Sequence, residues 1–508
     1  MYLLDYLKDH SKRKGDCVGW VVEGIPCTYR QMDVYTNKFA NALLASGLKK
    51  GDRVTTYLPN SLEYLITCYG VAKAGGVVNP LNTMFRSSEI KYIVNDAGSK
   101  ILVATPELVG TVLEIKHELP LIEKVILTGD EFNKLLEDAS DAPPKVDIEG
   151  GDNMFLAYSS GTTGNPKGVV HTHRSTTGQA VGSAIRIGLN REDKIVSALP
   201  LFHLYGGNII LGGAIVAGSC LIVHPRFDAE RILSSVAESG ANMISGVPTM
   251  FAYLNDLPLS TISKYNLTSL ASGVSAGSIL SPKIYNEFKD IYGARIADLY
   301  GITEAAGNLA GNYRYGMVKP ASAGPAYPLT DIKIVDDNDN PLPVGEVGEL
   351  IARGPQIMKE YWRMPEETEK TLKGGYLHTG DLARMDEDGF VYIVDRKKDL
   401  IITGGFNIYP AEVEILMNTY HKVSQSAMFG VKDEAKGEIG WAAIVLKEGM
   451  TATEAEITEY CRSQMAAYKC PRRVVFRESL PVNVMNKVLR RKLRDEYSAA
   501  EASITAKK

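Results

Sequence analysis

Helix-period and strand-period segments alternate along the first half of the chain, and this alternation limits the fold more than any other feature. Thr28-Tyr-Arg-Gln31 has capping-box spacing, in which a hydroxyl and an amide each satisfy an orphan backbone group. After it Tyr35, Phe39 and Leu43 recur at four-residue steps, and Gly47 sits where a helix would end. A strand-like run (53–58), a helical pattern (62–73) and strand candidates at 76–79 and 101–104 follow. Residues 228–240 read as a helix and 242–247 as a buried strand. The pattern predicts an α/β fold, with a large N-terminal domain of layered, mostly parallel sheets. From about Ile332 short strands and turns predict a small β subdomain. Beyond Arg396, helices near 411–418 and 453–465 around strands near 443–446 and 474–477 predict a smaller, mobile α+β C-terminal domain. With 508 residues the chain exceeds one core. The sequence places domains at 1–395 and 396–508, with fraying from Glu496.

Composition narrows the function classes. A net charge of −4 without any long block of like charge gives no support to nucleic-acid binding. The N-terminal segment mixes acids with apolar residues and lacks the apolar core of a signal peptide. Residues 209–223 are nearly apolar, but 15 residues broken by Gly212, Gly213 and Gly218 suit a buried helix running into a strand better than a membrane span. The six cysteines are scattered without a C-x-x-C pair, so neither a disulfide framework nor a zinc site is indicated. A cytoplasmic location is expected.

The richest chemical signal is Ser159-Ser-Gly-Thr-Thr-Gly-Asn-Pro-Lys-Gly168. Gly161, Gly164 and Gly168 let the backbone turn its amides toward one point. Ser159, Ser160, Thr162 and Thr163 add hydroxyls, and Lys167 adds a cation. Converging amides, hydroxyls and an ammonium suit a polyphosphate. Pro166 and Gly168 break the Walker A pattern, which excludes the ordinary P-loop kinases and GTPases.

Four further segments carry polar chemistry. Tyr300-Gly-Ile-Thr-Glu304 offers an aromatic, a hydroxyl and a carboxylate suited to a base, a phosphate oxygen and Mg²⁺. Asp381, closing Tyr376-Leu-His-Thr-Gly-Asp, suits a ribose diol or a surface turn. Asp395-Arg-Lys-Lys-Asp399 reads as a solvated connector, and Lys487 lies just before a helical stretch. His171 and His173 have strand spacing on one face, and without a nearby Cys or acid they read as structural.

In this order, with His203 between the loop and Tyr300, the motifs resemble those of the adenylate-forming superfamily of acyl- and aryl-CoA synthetases, luciferases and peptide-synthetase adenylation domains. The resemblance spans about residues 20–495. It implies ATP, Mg²⁺ and coenzyme A as cofactors and a small carboxylic acid as partner. It implies that the Ser159–Gly168 loop grips the β- and γ-phosphates, Thr303 contacts the α-phosphate and Glu304 holds Mg²⁺. Tyr300, Gly301 and the Ser275-Ala276-Gly277-Ser278 turn would take adenine, and Asp381 and Arg396 the ribose. Lys487 would bridge the carboxylate and the α-phosphate, then leave as the C-terminal domain turns about Lys398. That turn would bring Gly404 and Gly405 beside the thiol channel. The family commonly has Gly before the late lysine; Asn486 stands there here and tolerates left-handed backbone.

The acid is less legible. The segment Leu201-Phe-His-Leu-Tyr205 lacks the Asp that would pair an α-ammonium, which disfavours amino-acid substrates. The predicted acyl pocket is His203, as a gate, with Tyr205, Gly206, Val247, Met250, Phe251, Gly273, Gly301 and Ala306. Its glycines suggest room for a chain or ring. The leading expectation is an AMP-forming ligase of medium- or long-chain fatty acids and CoA, with an aryl- or alicyclic-acid CoA ligase as alternative. A carrier-protein-loading ligase, a luciferase and a non-catalytic nucleotide-binding regulator stay open. Fatty acids partition into bilayers, so peripheral membrane contact is open too, although no basic amphipathic stretch supports it.

Overall fold

The computed structural model describes residues 1–159, 166–433, 436–482 and 488–505, the side chains of 498–505 excepted. Two compact units emerge, 1–332 with 352–377 and 333–351 with 378–508. The 395/396 junction lies inside the second unit, because the small β subdomain groups with the C-terminal segment.

Among the described residues the first unit holds two large sheets. One runs in the order Gly307–Gly311, Arg295–Ile302, Ser272–Ser275, Met243–Gly246, Lys194–Ser197, Cys220–Val223, Val18–Val22, Ile25–Thr28. Its six inner strands are parallel, and its two edges are antiparallel. The other runs Glu360–Tyr361, Lys167–Thr172, Asn153–Ser159, Val77–Pro80, Arg53–Tyr57, Ile101–Ala104, Lys124–Leu127. Parallel strands buried on both faces need apolar or small residues, which explains runs such as Val77–Pro80 and Ser272–Ser275, buried at every position. Val196, Ile222, Phe251, Phe288 and Ile296 form one core, and Tyr57, Leu81, Ile93 and Leu102 belong to another. The predicted capping box forms: Thr28 caps helix Tyr29–Ala45 and Gln31 returns the bond.

The second unit contains strands Leu377–Met385 and Val391–Arg396 as an antiparallel pair. Its other sheet runs Phe406–Ile408, Ile401–Thr403, Gly437–Leu446, Val423–Asp433, with Arg473–Phe476 parallel to Gly437–Leu446. Helix Arg490–Thr505 continues past Glu496, where the sequence predicts fraying. Packing accounts for this, since Glu496 pairs with Arg477 and Tyr497 stacks on Phe429.

Candidate active site

Two paired strands flank the predicted phosphate loop. Strands Asn153–Ser159 and Lys167–Thr172 pair antiparallel, with Ser159 opposite Lys167. Ser160, Gly161, Thr162, Thr163 and Gly164 lie outside the described residues, as do Asn486 and Lys487. Gly168 is a strand residue rather than a turn residue. An added Cβ there would sit 3.0–3.1 Å from Leu156, Trp362 and Tyr158, so it is needed for close approach instead of for amide turning. Lys167 Nζ lies 2.7 Å from Glu367 Oε2 and 5.1 Å from the centroid of the Tyr361 ring.

The Thr303–Glu304 turn leaves the end of strand Arg295–Ile302. The buried His171 sets it: its Nε2 lies 2.7 Å from the Thr303 carbonyl, which only accepts, so Nε2 carries the proton. Burial lowers the His171 pKa to about 4, which keeps the ring neutral. The Met358 amide donates to the Glu304 carbonyl at 2.7 Å, and Tyr361 Oη donates to Glu304 Oε1 at 2.8 Å. The structural reading of His171 therefore acquires content, because it fixes a turn that carries two predicted site residues. His173, the first residue of helix His173–Ile187, is not part of that strand.

The residues around Glu304 bear on Mg²⁺. No group of three or more His, Cys, Asp or Glu gathers among the described residues, so no all-protein cage exists there. A single carboxylate fits a cation that takes most of its oxygens from phosphates and water. Glu304 meets that requirement.

At the C-terminal ends of the parallel strands, Gly246, Ser275 and Asp298 stand in register. Open α/β sheets bind ligands at such an edge. The turn after Ser275 is exposed at Gly277, with φ +93, and at Ser278, while Ser275 and Ala276 are buried. Asp298, which belongs to none of the motifs, is buried, and its Oδ1 has no partner among the described residues. Burial raises its pKa to about 8, opposed by a bond from the Leu280 amide. The available signal was an acid inside the apolar run Ile296–Leu299.

The predicted acyl lining is corrected in part. Added Cβ atoms at Gly206, Gly273 and Gly301 would lie 2.5 Å from the Pro200 carbonyl O, 2.7 Å from Phe251 and 1.8 Å from the Gly307 carbonyl O. These glycines admit close neighbours and do not leave open room. Phe251 is fully buried core, edge-on to Phe288. Tyr205 Oη lies within 3.1 Å of the Gly246 and Val274 carbonyls, tying it to the strand ends. Val247 and Ala306 are buried; Met250 and His203 are partly exposed. His203 Nδ1 accepts from the Tyr205 amide at 3.2 Å, and burial lowers its pKa to about 4.

In the second unit Asp381 and Arg396 face each other across the hairpin, Arg396 Nε 3.1 Å from Asp381 Oδ1. With Thr379, Gly380, Lys397 and Lys398 they line a cavity of about 330 Å³. Asp381 is buried, so it is no surface-turn acid. The Asp395–Asp399 segment is no solvated connector either. Asp395 is buried and accepts from the Ala411 amide at 2.7 Å. Arg490 reaches Asp395 and Asp399 at 3.3 and 3.4 Å and Glu414 at 2.6 Å. Gly404 (φ +56) and Gly405 (φ +83) form the tight turn between strands Ile401–Thr403 and Phe406–Ile408, where positive φ is required.

Residues 7–362 match the AMP-binding enzyme family and 412–487 its C-terminal domain. The chain belongs to the AMP-binding enzyme family. It is 34% identical over 480 residues to the long-chain-fatty-acid–CoA ligase FadD13 of Mycobacterium tuberculosis, covering 93% of each chain. It is likewise 34% identical to a feruloyl-CoA synthase of Amycolatopsis sp, covering 93% of this chain and 94% of that one. The solved anthranilate CoA ligase AuaEII, in complex with anthranoyl-AMP, superposes with TM-score 0.92 at 28% identity, covering 99% and 98%. The family match thus bears out the adenylate-forming resemblance. No helix among the described residues is long and apolar enough to cross a membrane.

Proposed function

We propose that the chain is an AMP-forming carboxylic acid–CoA ligase acting on medium- or long-chain fatty acids. The observation that carries this reading is its end-to-end similarity to the fatty-acid ligase FadD13, over 93% of both chains. A carboxylate is a poor acyl donor because oxide would have to leave. Attack of its oxygen on the α-phosphorus of ATP expels pyrophosphate and leaves an acyl-adenylate. A CoA thiolate then attacks the acyl carbon and AMP departs. The first step gathers negative charge, so fixed cations and donors serve it better than a general base.

In this reading Lys167 and its loop hold the β- and γ-phosphates, and Thr303 meets the α-phosphate. Glu304 would hold Mg²⁺, which neutralises phosphate charge when bound. Adenine falls to Tyr300 and the Ser275–Ser278 turn, and the ribose diol to Asp381 and Arg396. His203 gates the acid, and its low pKa keeps it neutral there. Lys487 bridges the carboxylate and α-phosphate, and rotation about Lys398 withdraws it before thiol attack. We expect Lys487→Ala to slow adenylation about 10²-fold or more, the scale of one transition-state contact, while presynthesised acyl-adenylate still yields thioester. Equal loss in both half-reactions would contradict the two-orientation scheme.

An aryl acid is the second reading, favoured by the equal identity to feruloyl-CoA synthase. Pyrophosphate release with fatty acids of graded length, substituted cinnamates and benzoates, with and without CoA, separates the two. The fatty-acid reading expects the highest kcat/KM with a longer chain and thioester only when CoA is present. Turnover confined to ring acids would replace it with the second reading, and ATP binding without pyrophosphate release would leave a regulator.

A further inference from the structure

The segment after Gly354 is fastened across two site-bearing elements that come from distant parts of the sequence. Strand Glu360–Tyr361 pairs antiparallel with Lys167–Thr172, Tyr361 opposite Val169. The Trp362 amide donates to the Gly168 carbonyl at 2.7 Å, and the Tyr361 amide to Thr368 Oγ1 at 2.9 Å. Gly168 permits this approach, since Trp362 Cβ would stand 3.1 Å from an added methyl. Tyr361 is therefore held by backbone on one side and by helix Pro365–Thr371 on the other, with 6% of its surface exposed.

From that fixed position its side chain does two things. The hydroxyl donates to Glu304 Oε1 at 2.8 Å, and the ring lies 5.1 Å from Lys167 Nζ. Lys167 is also paired with Glu367, six residues on from Tyr361. One aromatic residue thus contacts the carboxylate of the Thr303–Glu304 turn and the cation at the root of the phosphate loop. A phenol hydroxyl has one proton to give, and giving it to Oε1 orients the carboxylate plane and biases Oε2 toward a cation. This matters because Glu304 belongs to no group of three or more metal-ligating side chains among the described residues, so the orientation of its one carboxylate counts. A phenol is protonated at neutral pH, so it remains a donor.

We infer that Tyr361 is a positioning residue that presents Glu304 to the phosphate-bound cation and steadies Lys167 for the phosphates. The inference rests on the reading of Glu304 as the Mg²⁺ ligand.

The test uses the full chain without acid or CoA and reads ATP binding by titration calorimetry across a series of Mg²⁺ concentrations, so that no turnover enters. Tyr361→Phe keeps the ring and removes the hydroxyl. It should raise the Mg²⁺ concentration for half-maximal enhancement of ATP binding about tenfold, the lower end for loss of an outer-shell partner, and leave Mg²⁺-free ATP affinity unchanged. Tyr361→Leu should add about a threefold loss of Mg²⁺-free affinity, as expected when an ammonium loses its ring. Glu304→Gln is the reference. An unshifted Mg²⁺ curve in Tyr361→Phe beside a shifted one in Glu304→Gln overturns the role of Tyr361 and leaves the reading of Glu304 standing. An unshifted curve in Glu304→Gln overturns both.

Discussion

Two buried carboxyl groups on strands, Asp298 in the first unit and Asp381 in the second, are accommodated in opposite ways. Asp381 has the Arg396 guanidinium 3.1 Å away, and the same hairpin continues into Asp395, which shares Arg490 with Asp399 and Glu414. Among the described residues no cation pairs with Asp298, and desolvation raises its pKa to about 8. The second unit sets guanidinium groups beside its buried acids, whereas the sheet edge of the first holds an acid that burial pushes toward its neutral form. A neutral carboxyl both donates and accepts a hydrogen bond, whereas a carboxylate only accepts.

The contrast can be broken most severely at Arg490, with 16% of its side chain exposed amid three carboxylates. Arg490→Leu should cost about 3–5 kcal/mol in urea unfolding, since it strands buried charge, and adding Asp395→Asn should recover part of it. A loss below about 1 kcal/mol would show that the cluster is already solvated. At Asp298 the sign is opposite to that of an ordinary paired acid. Its folded pKa lies above the unfolded value, so the folded state binds more protons between about pH 4 and 8. Its contribution to stability is therefore complete at low pH and declines as pH rises through that window, by at most about 1.4 kcal/mol per pH unit. Asp298→Asn should flatten this limb of the stability–pH profile; an unchanged profile would mean the carboxyl is charged in the fold. The smallest effect is expected at Asp381. Asp381→Asn should weaken ATP binding about tenfold, the scale of a charge-assisted hydrogen bond, and should hardly affect 2′,3′-dideoxy-ATP. Equal losses for both nucleotides would remove the ribose assignment.

Where the sequence could be read, the reason is local. Helix caps and strand periodicity depend on near neighbours, so the alternating pattern led to the layered α/β fold, whereas the association of Asp381 with Arg396 was implied only by the family resemblance and not by either motif alone. Where reading failed, the deciding partner lay far along the chain. Gly273 suggested an open pocket, yet Phe251 from another element fills the space above it. Asp395 resembled a solvated connector because the Arg490 that neutralises it arrives with the last helix. Tyr361 and Glu367 carried no motif of their own. Their meaning comes from the pairing of strand Glu360–Tyr361 with Lys167–Thr172, a register that no local signal encodes.

The central claim is that an acid is activated as its mixed anhydride with AMP before any thiol is acylated. Incubation with ATP labelled at the α-phosphorus and a fatty acid, without CoA, should yield protein-bound acyl-adenylate in amounts stoichiometric with released pyrophosphate. Adding CoA should convert that adenylate to thioester and AMP. Release of ADP and phosphate, or thioester formation with no adenylate trapped at any time, would contradict the account.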